Sequence, residues 1–196
     1  MSPAPLRSVV VTVAAPGPDR ASDREALLAA VMAVTDADAP ALRTGRVCPH
    51  CAATDHGRPW VTLDGATVGV SLARTTGALA LAVGPDPLGV DLERASRVVA
   101  APLDVFTAAE RERAAGDPRR LAACWAAKEA VLKRDGRGLR VDPLAVDVDV
   151  EREVALFDGA EHAVTLRYPG PDLVLAVAAG GVPVTLRGSG PPRRPR

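Results

Sequence analysis

The sequence predicts an α+β fold, a pseudo-dimer of two similar halves, each a small antiparallel sheet packed with helix. Three observations support this. Short strands rich in Val, Leu and Ala occur in two series, "VGVSLAR", "LALAV", "LGVDLE" and later "AVTLRY", "LVLAV", "VPVTLR", each bounded by Gly/Pro turns. Overlaid at an offset of 94, residues 70–93 and 164–187 agree at eight of 24 positions, from Val70/Val164 to Leu92/Leu186, and the order strand, turn, strand, turn, strand repeats as well. With 196 residues, 47% of them hydrophobic and 24% charged, the chain has the balance of a globular protein that fills one domain or two packed halves. The boundary falls near Leu88, giving halves at 1–87 and 88–187 and a disordered tail at 188–196.

The elements follow in order. "SVVVTVAA" is short and stopped by Pro16, so it reads as a first strand and not a signal peptide. In "SDREALLAAVMAV", Ser22 is a candidate N-cap with Glu25 three positions on, ahead of apolar residues at helical spacing. "RTGRVCPHCAATDHGRPW" is rich in turn formers and fits no regular element. Between the two strand series, Thr107 and Glu110 form a capping box for a short helix, "GDP" breaks it, and a second helix runs from Pro118 to about Arg134 before "DGRG".

Charge excludes some functions. Twenty-four basic and 24 acidic residues cancel, so nothing global attracts nucleic acid or an anionic membrane. Five aromatic residues in all offer little for base stacking. No run approaches the roughly 20 apolar residues of a membrane span. Three cysteines make no disulfide framework. A cytoplasmic monomer is expected. "CPHC" with His50 and His56 raises a zinc site, but His50 abuts Cys51 and leaves no second ligand pair. The loop therefore reads as irregular, and Cys124 as core.

Chemistry concentrates in "GVDLE". Strand alternation puts Asp91 and Glu93 on one face, about 7 Å apart, which suits two oxygen ligands of a hard cation or a wet edge strand. On the long helix, Trp125, Glu129 and Lys133 fall in one column. Glu followed by Lys four residues on is also an ordinary surface pair, yet an indole among alanines needs a packing partner. Asp91, Glu93 and Glu129 with a nearby Lys describe a Mg²⁺ site able to hold a phosphate or pyrophosphate.

"GVDLE", "FTAAE" and "CWAAKEAVLKRDGRGL" resemble the ordered signature G-[IV]-D-[IVL]-E, F-[ST]-x-x-E, W-x-x-K-E-A-x-x-K of the 4'-phosphopantetheinyl transferases of the surfactin-synthetase-activating type. The resemblance runs from "HGRP" (56–59) to Leu139 and implies transfer of the phosphopantetheine arm of coenzyme A to a serine of an acyl or peptidyl carrier protein. It implies that Asp91, Glu93 and Glu129 bind Mg²⁺ with the pyrophosphate, that Lys133 neutralises the departing 3',5'-ADP, and that Lys128 of the same motif meets cofactor or supports the fold. Glu129 or a metal-bound water would take the serine proton. Arg58, in the family's G-[KR]-P element, would lie near the nucleotide; Arg24, Arg43 and Arg46 are further candidates that no motif fixes. The family's S-[LVI]-S-H-[ST] strand reads "SLART" here. Ser71 and Thr75 stay, Ala73 replaces a Ser, and Arg74 replaces the His, a cation that can also hold phosphate. That departure leaves a second reading, a catalytically impaired coenzyme A-binding or carrier-binding homologue. Carrier proteins of this kind are acidic, and Arg111, Arg113, Arg119 and Arg120 offer either a docking patch or a solvated helix surface.

Overall fold

The computed structural model describes residues 5–101 and 104–188; most of the tail, 189–196, lies outside them. In chain order the elements are β1 (Val9–Ala14), α1 (Arg20–Thr35), β2 (Leu42–Val47), β3 (Arg58–Leu63), β4 (Ala66–Thr75), β5 (Ala78–Gly84), β6 (Gly89–Arg94), α2 (Ala95–Ala100), α3 (Ala108–Ala114), α4 (Pro118–Asp135), β7 (Asp147–Asp149), β8 (Val154–Phe157), β9 (Ala160–Arg167), β10 (Leu173–Ala178) and β11 (Val184–Gly188). One sheet has the order β11-β1-β5-β4-β3-β2 and the other β6-β10-β9-β8-β7. All pairings are antiparallel except β1 with β11. No helix among the described residues is long and apolar enough to cross a membrane.

Alternation along the strands builds three cores. Leu79, Leu81 and Val83 pack with Leu27 and Val31 of α1. The opposite face of β5, Ala78, Ala80 and Ala82, meets Val90, Leu92, Leu175 and Val177 of the other sheet. Val174, Ala176 and Ala178 turn instead to α4, whose Ala122, Ala123, Ala126, Ala127 and Ala130 are fully buried. The result is four layers, helix, sheet, sheet, helix, a two-half α+β fold. Small side chains let α4 come close to β6: a Cβ on Gly89 would stand 2.0 Å from the Ala130 carbonyl oxygen. Only glycine fits there.

Local signals hold in part. Thr107 and Glu110 make the expected capping box at α3, and α4 starts at Pro118 behind the Asp117 cap. At α1 the cap is Asp19, whose carboxylate accepts the Ser22 N–H, so Ser22 lies inside the helix and not at its cap. The basic loop at 43–60 is not wholly irregular, since its two ends form the β2–β3 hairpin with Val47 opposite Arg58.

The repeat differs from the sequence overlay. At an offset of 94, Leu81 is matched to Leu175, but Leu81 faces α1 whereas Leu175 faces the other sheet. The β4–β5 turn is tight, with Thr75 opposite Ala78, while Arg167 and Leu175 flank a longer loop. A one-residue slip of this kind exchanges the two faces of a strand. The overlay also matched β6 with β11, which belong to different sheets: β11, placed by the boundary at 88 in the second half, completes the first sheet beside β1. By position β6 corresponds to β1, since each is the antiparallel neighbour of a hairpin strand, β10 or β5, and each leads into helix. The strand in the equivalent place, β1, "VVVTVA", carries no carboxylate.

Candidate active site

β6 lies with Val90 and Leu92 in the inter-sheet core, which sends Asp91 and Glu93 to the α4 side. Asp91 is 5% exposed. Its Oδ1 accepts from Lys133 Nζ at 2.5 Å, and the same ammonium donates to the Val90 carbonyl at 3.2 Å. Its Oδ2 is buried with no hydrogen-bond partner. A buried carboxylate oxygen without a partner is costly, and a bound cation would satisfy it.

Glu93 and Glu129 join the same field. Burial, and then the Asp91 charge, push the Glu93 carboxyl up to about 7, against the nearby Arg97, the Trp125 hydrogen bond and Lys133. Burial also raises Glu129, with Lys133 opposing and Asp91 adding to the effect. Burial disfavours the Lys133 ammonium, but Asp91, through charge and hydrogen bond, and then Glu129 and Glu93 outweigh it and hold its pKa above the ordinary lysine value. Three partly buried acids around one lysine carry an excess of negative charge. That donor set, oxygen only, fits a hard divalent cation. The carboxylate oxygens do not all lie within 4.8 Å of one another, so one ion would gather them through a side-chain rotation or a bridging water.

Lys133 also lines a cleft of about 510 Å³ between the halves, together with Arg46, Arg58, Ser71, Arg137 and Arg140. The lining contains no acidic residue. Arg58, at the start of β3, reaches the Leu88 carbonyl at 3.5 Å and Asp86 at 3.2 Å, so it spans the boundary between halves. Arg46 donates to the Gly57 carbonyl at 2.8 Å, and its Nε is buried without a partner. Burial, and then repulsion from Arg24 and Arg20, lower the Arg46 pKa. Ser71 Oγ accepts the Val90 N–H at 3.0 Å, which ties β4 to β6 and leaves the hydroxyl proton to donate.

Three sequence-derived groups stand outside that cleft. Lys128 is completely buried: its Nζ bonds Glu110 at 2.9 Å and the Pro143 and Val146 carbonyls at 2.9 and 2.5 Å. It holds α4 to α3 and to the segment entering β7, the fold-supporting alternative for this residue. Arg74 projects toward α1, where it donates to the buried Asp23 at 2.6 Å and to the Gly17 carbonyl at 2.9 Å. It does not line the cleft that holds Lys133. The basic patch is largely neutralised, with Arg111 on Asp104, Arg113 on Asp147, Arg120 on Glu151, and Arg119 over the Tyr168 ring. Arg43 bonds the local carbonyls of Pro40 and Leu42. Sequence reasoning missed Arg137 and Arg140. The signal was the run "DGRGLR": two arginines just past the helix end that carries Lys133 come to the same cleft.

Residues 87–175 match the family model of the 4'-phosphopantetheinyl transferase superfamily. None of the curated proteins matches the chain. The matched span holds Asp91, Glu93, Glu110, Lys128, Glu129 and Lys133, while Arg46, Arg58, Ser71 and Arg74 precede it. The segment that carries the carboxylate cluster is thus similar to the 4'-phosphopantetheinyl transferase superfamily, over 89 of the chain's 196 residues.

Proposed function

We propose that this protein transfers the 4'-phosphopantetheine arm of coenzyme A to a serine of an acyl or peptidyl carrier protein, with a divalent cation, releasing 3',5'-ADP, and that it is of the surfactin-synthetase-activating type, acting as a cytoplasmic monomer. One observation carries the reading: Lys133 belongs both to the carboxylate cluster and to the acid-free basic cleft, so a polyphosphate lying in the cleft ends at the carboxylates. Two halves within a single chain are the architecture that the resemblance implies.

Arg46, Arg58 and Arg140 bind the phosphates of coenzyme A, while Arg137, at the rim, is held by Asp135 and Asp158. Mg²⁺ held by Asp91, Glu93 and Glu129 would neutralise the pyrophosphate oxygens. Glu129, or a metal-bound water beside it, would accept the proton of the carrier serine. The serine oxygen forms a bond to the β-phosphorus, and the bond from that phosphorus to the bridging oxygen breaks. The electron pair leaves with 3',5'-ADP, whose new charge Lys133 balances. Positioning and charge neutralisation suffice for such a displacement, and no covalent enzyme intermediate is required.

Incubation with coenzyme A, Mg²⁺ and a panel of apo carriers, read by intact mass, tests the proposal. Carriers should gain one phosphopantetheine each, and excess EDTA should stop the gain. Tight coenzyme A binding with no transfer to any carrier would establish the impaired homologue instead. Two arginines separate recognition from framework. Arg58→Ala should raise the KM for coenzyme A about ten- to a hundredfold, the loss of one charge-assisted contact. Arg74→Ala should leave that KM within about threefold but lower the Tm, because Asp23, 2% exposed, loses its cation; the loss is about 1–3 kcal/mol. A KM raised by Arg74→Ala at unchanged Tm would return Arg74 to the substrate site.

A further inference from the structure

The loop between β2 and β3 holds a second cluster. Cys48 Sγ, Cys51 Sγ and a His56 ring nitrogen lie within 4.8 Å of one another, the one such three-residue group among the described residues. Cys51 Sγ stands 3.5 Å from His56 Nε2, while the other ring nitrogen, Nδ1, is 2.7 Å from Asp55 Oδ1. A carboxylate on one imidazole nitrogen fixes the proton there and leaves the other nitrogen's lone pair for a metal. Here that other nitrogen, Nε2, is the one on the thiol side. His50, which the sequence brings forward as a ligand, is absent from the group and lines the cleft instead.

The backbone is folded to make this cluster. Cys48 accepts the Ala52 N–H and donates to the Ala53 carbonyl, both at 2.9 Å, and Ala52 takes the left-handed conformation with φ 58°. Gly57 has φ 96°, and a Cβ there would be 2.4 Å from the Val47 carbonyl oxygen and 2.5 Å from Cys48 Cα. The chain therefore doubles back so tightly that His56 returns beside the cysteines eight residues earlier and five residues earlier in sequence.

We propose that Cys48, Cys51 and His56 bind one zinc ion at the rim of the cleft, with Asp55 orienting His56 and the fourth position left to water. Two thiolates and an imidazole select zinc over magnesium, which prefers oxygen. The ion clamps the loop between Arg46 and Arg58, and Arg46 already holds the Gly57 carbonyl at 2.8 Å. Zinc thus fixes two of the cleft cations from behind and takes no part in bond breaking.

The test is metal stoichiometry of the full chain, which does not depend on any transferase activity. Protein reconstituted with Zn²⁺, dialysed and examined by native mass spectrometry and elemental analysis should retain about one zinc per chain. Co²⁺ in its place should give a thiolate-to-cobalt charge-transfer band. Cys48→Ser and Cys51→Ser should each lose the metal and the band while keeping the far-ultraviolet circular dichroism of the wild type. Asp55→Asn should weaken zinc about 10- to 100-fold. Wild type that retains no zinc, a Cys48–Cys51 disulfide in the reconstituted protein, or unchanged zinc in the Cys48→Ser/Cys51→Ser double variant would each overturn the assignment.

Discussion

Asp91→Ala and Glu129→Ala should each lower carrier modification at least about 10²-fold, the scale of loss when a preorganised charge is removed from a reacting centre. Neither should cost the cooperative melt. Asp91 Oδ2 has no partner in the fold, so truncating it removes an unsatisfied buried oxygen along with the Lys133 contact, and the two effects oppose each other. β1, which stands where β6 stands in the other half, needs no carboxylate to form its ladder. The readouts are initial rates by intact mass and thermal melts with and without Mg²⁺. Wild type should melt higher with Mg²⁺ by mass action, and Asp91→Ala should not. Activity of Asp91→Ala within tenfold of wild type would remove Asp91 from the chemistry.

Lys128→Met should be the most damaging single substitution to stability. It leaves Glu110, fully buried, with its two amide donors, Thr107 and Val148, each at 2.8 Å, but without the cation. Breaking a buried pair from one side costs about 3–5 kcal/mol, on the order of 10 °C in Tm for a chain of this length. The double variant Lys128→Met/Glu110→Gln should recover most of that loss, since no buried charge remains. Loss of activity in the single variant should follow the loss of folded protein. A Lys128→Met melt within about 2 °C of wild type would refute the structural role.

The residues that carry strong local codes were legible from sequence. Thr107 with Glu110, Pro118 after Asp117 and the alternation in "GVDLE" each act through neighbours within a few positions, and the strands, α3 and α4 follow from them. What escaped depends on contacts distant in sequence. Nothing near Lys128 announces that Glu110, or the Pro143 carbonyl beyond the helix end, will surround it. Arg74 looks as available as Arg58 until α1 brings Asp23 against it. The helix periodicity of "SDREALL" was readable, but Asp19, Ser22 and Asp23 all qualify as caps, and geometry chooses Asp19. The duplicated strands were visible too, though Leu81 and Leu175 match in type while facing opposite ways, because identity of residue carries no information on face. The site divides similarly: Asp91, Glu93, Glu129 and Lys133 share one strand and one helix face, whereas Arg46, Arg137 and Arg140 join them only through the packing of two halves.

The pairing of β1 with β11 has a consequence for how the chain is made. Val9 bonds the Pro183 carbonyl at 2.8 Å, and Val9 itself stands opposite Val184. During synthesis from the N-terminus, β1 can find β5 early, but its other edge waits until residues 184–188 have been made. An apolar strand with an open edge is a template for pairing with other chains, and such non-local closure is slow. The nascent first half is therefore the aggregation-prone species. Ending translation before residue 184 should shift the product from soluble to insoluble even though every residue of the cleft is already present.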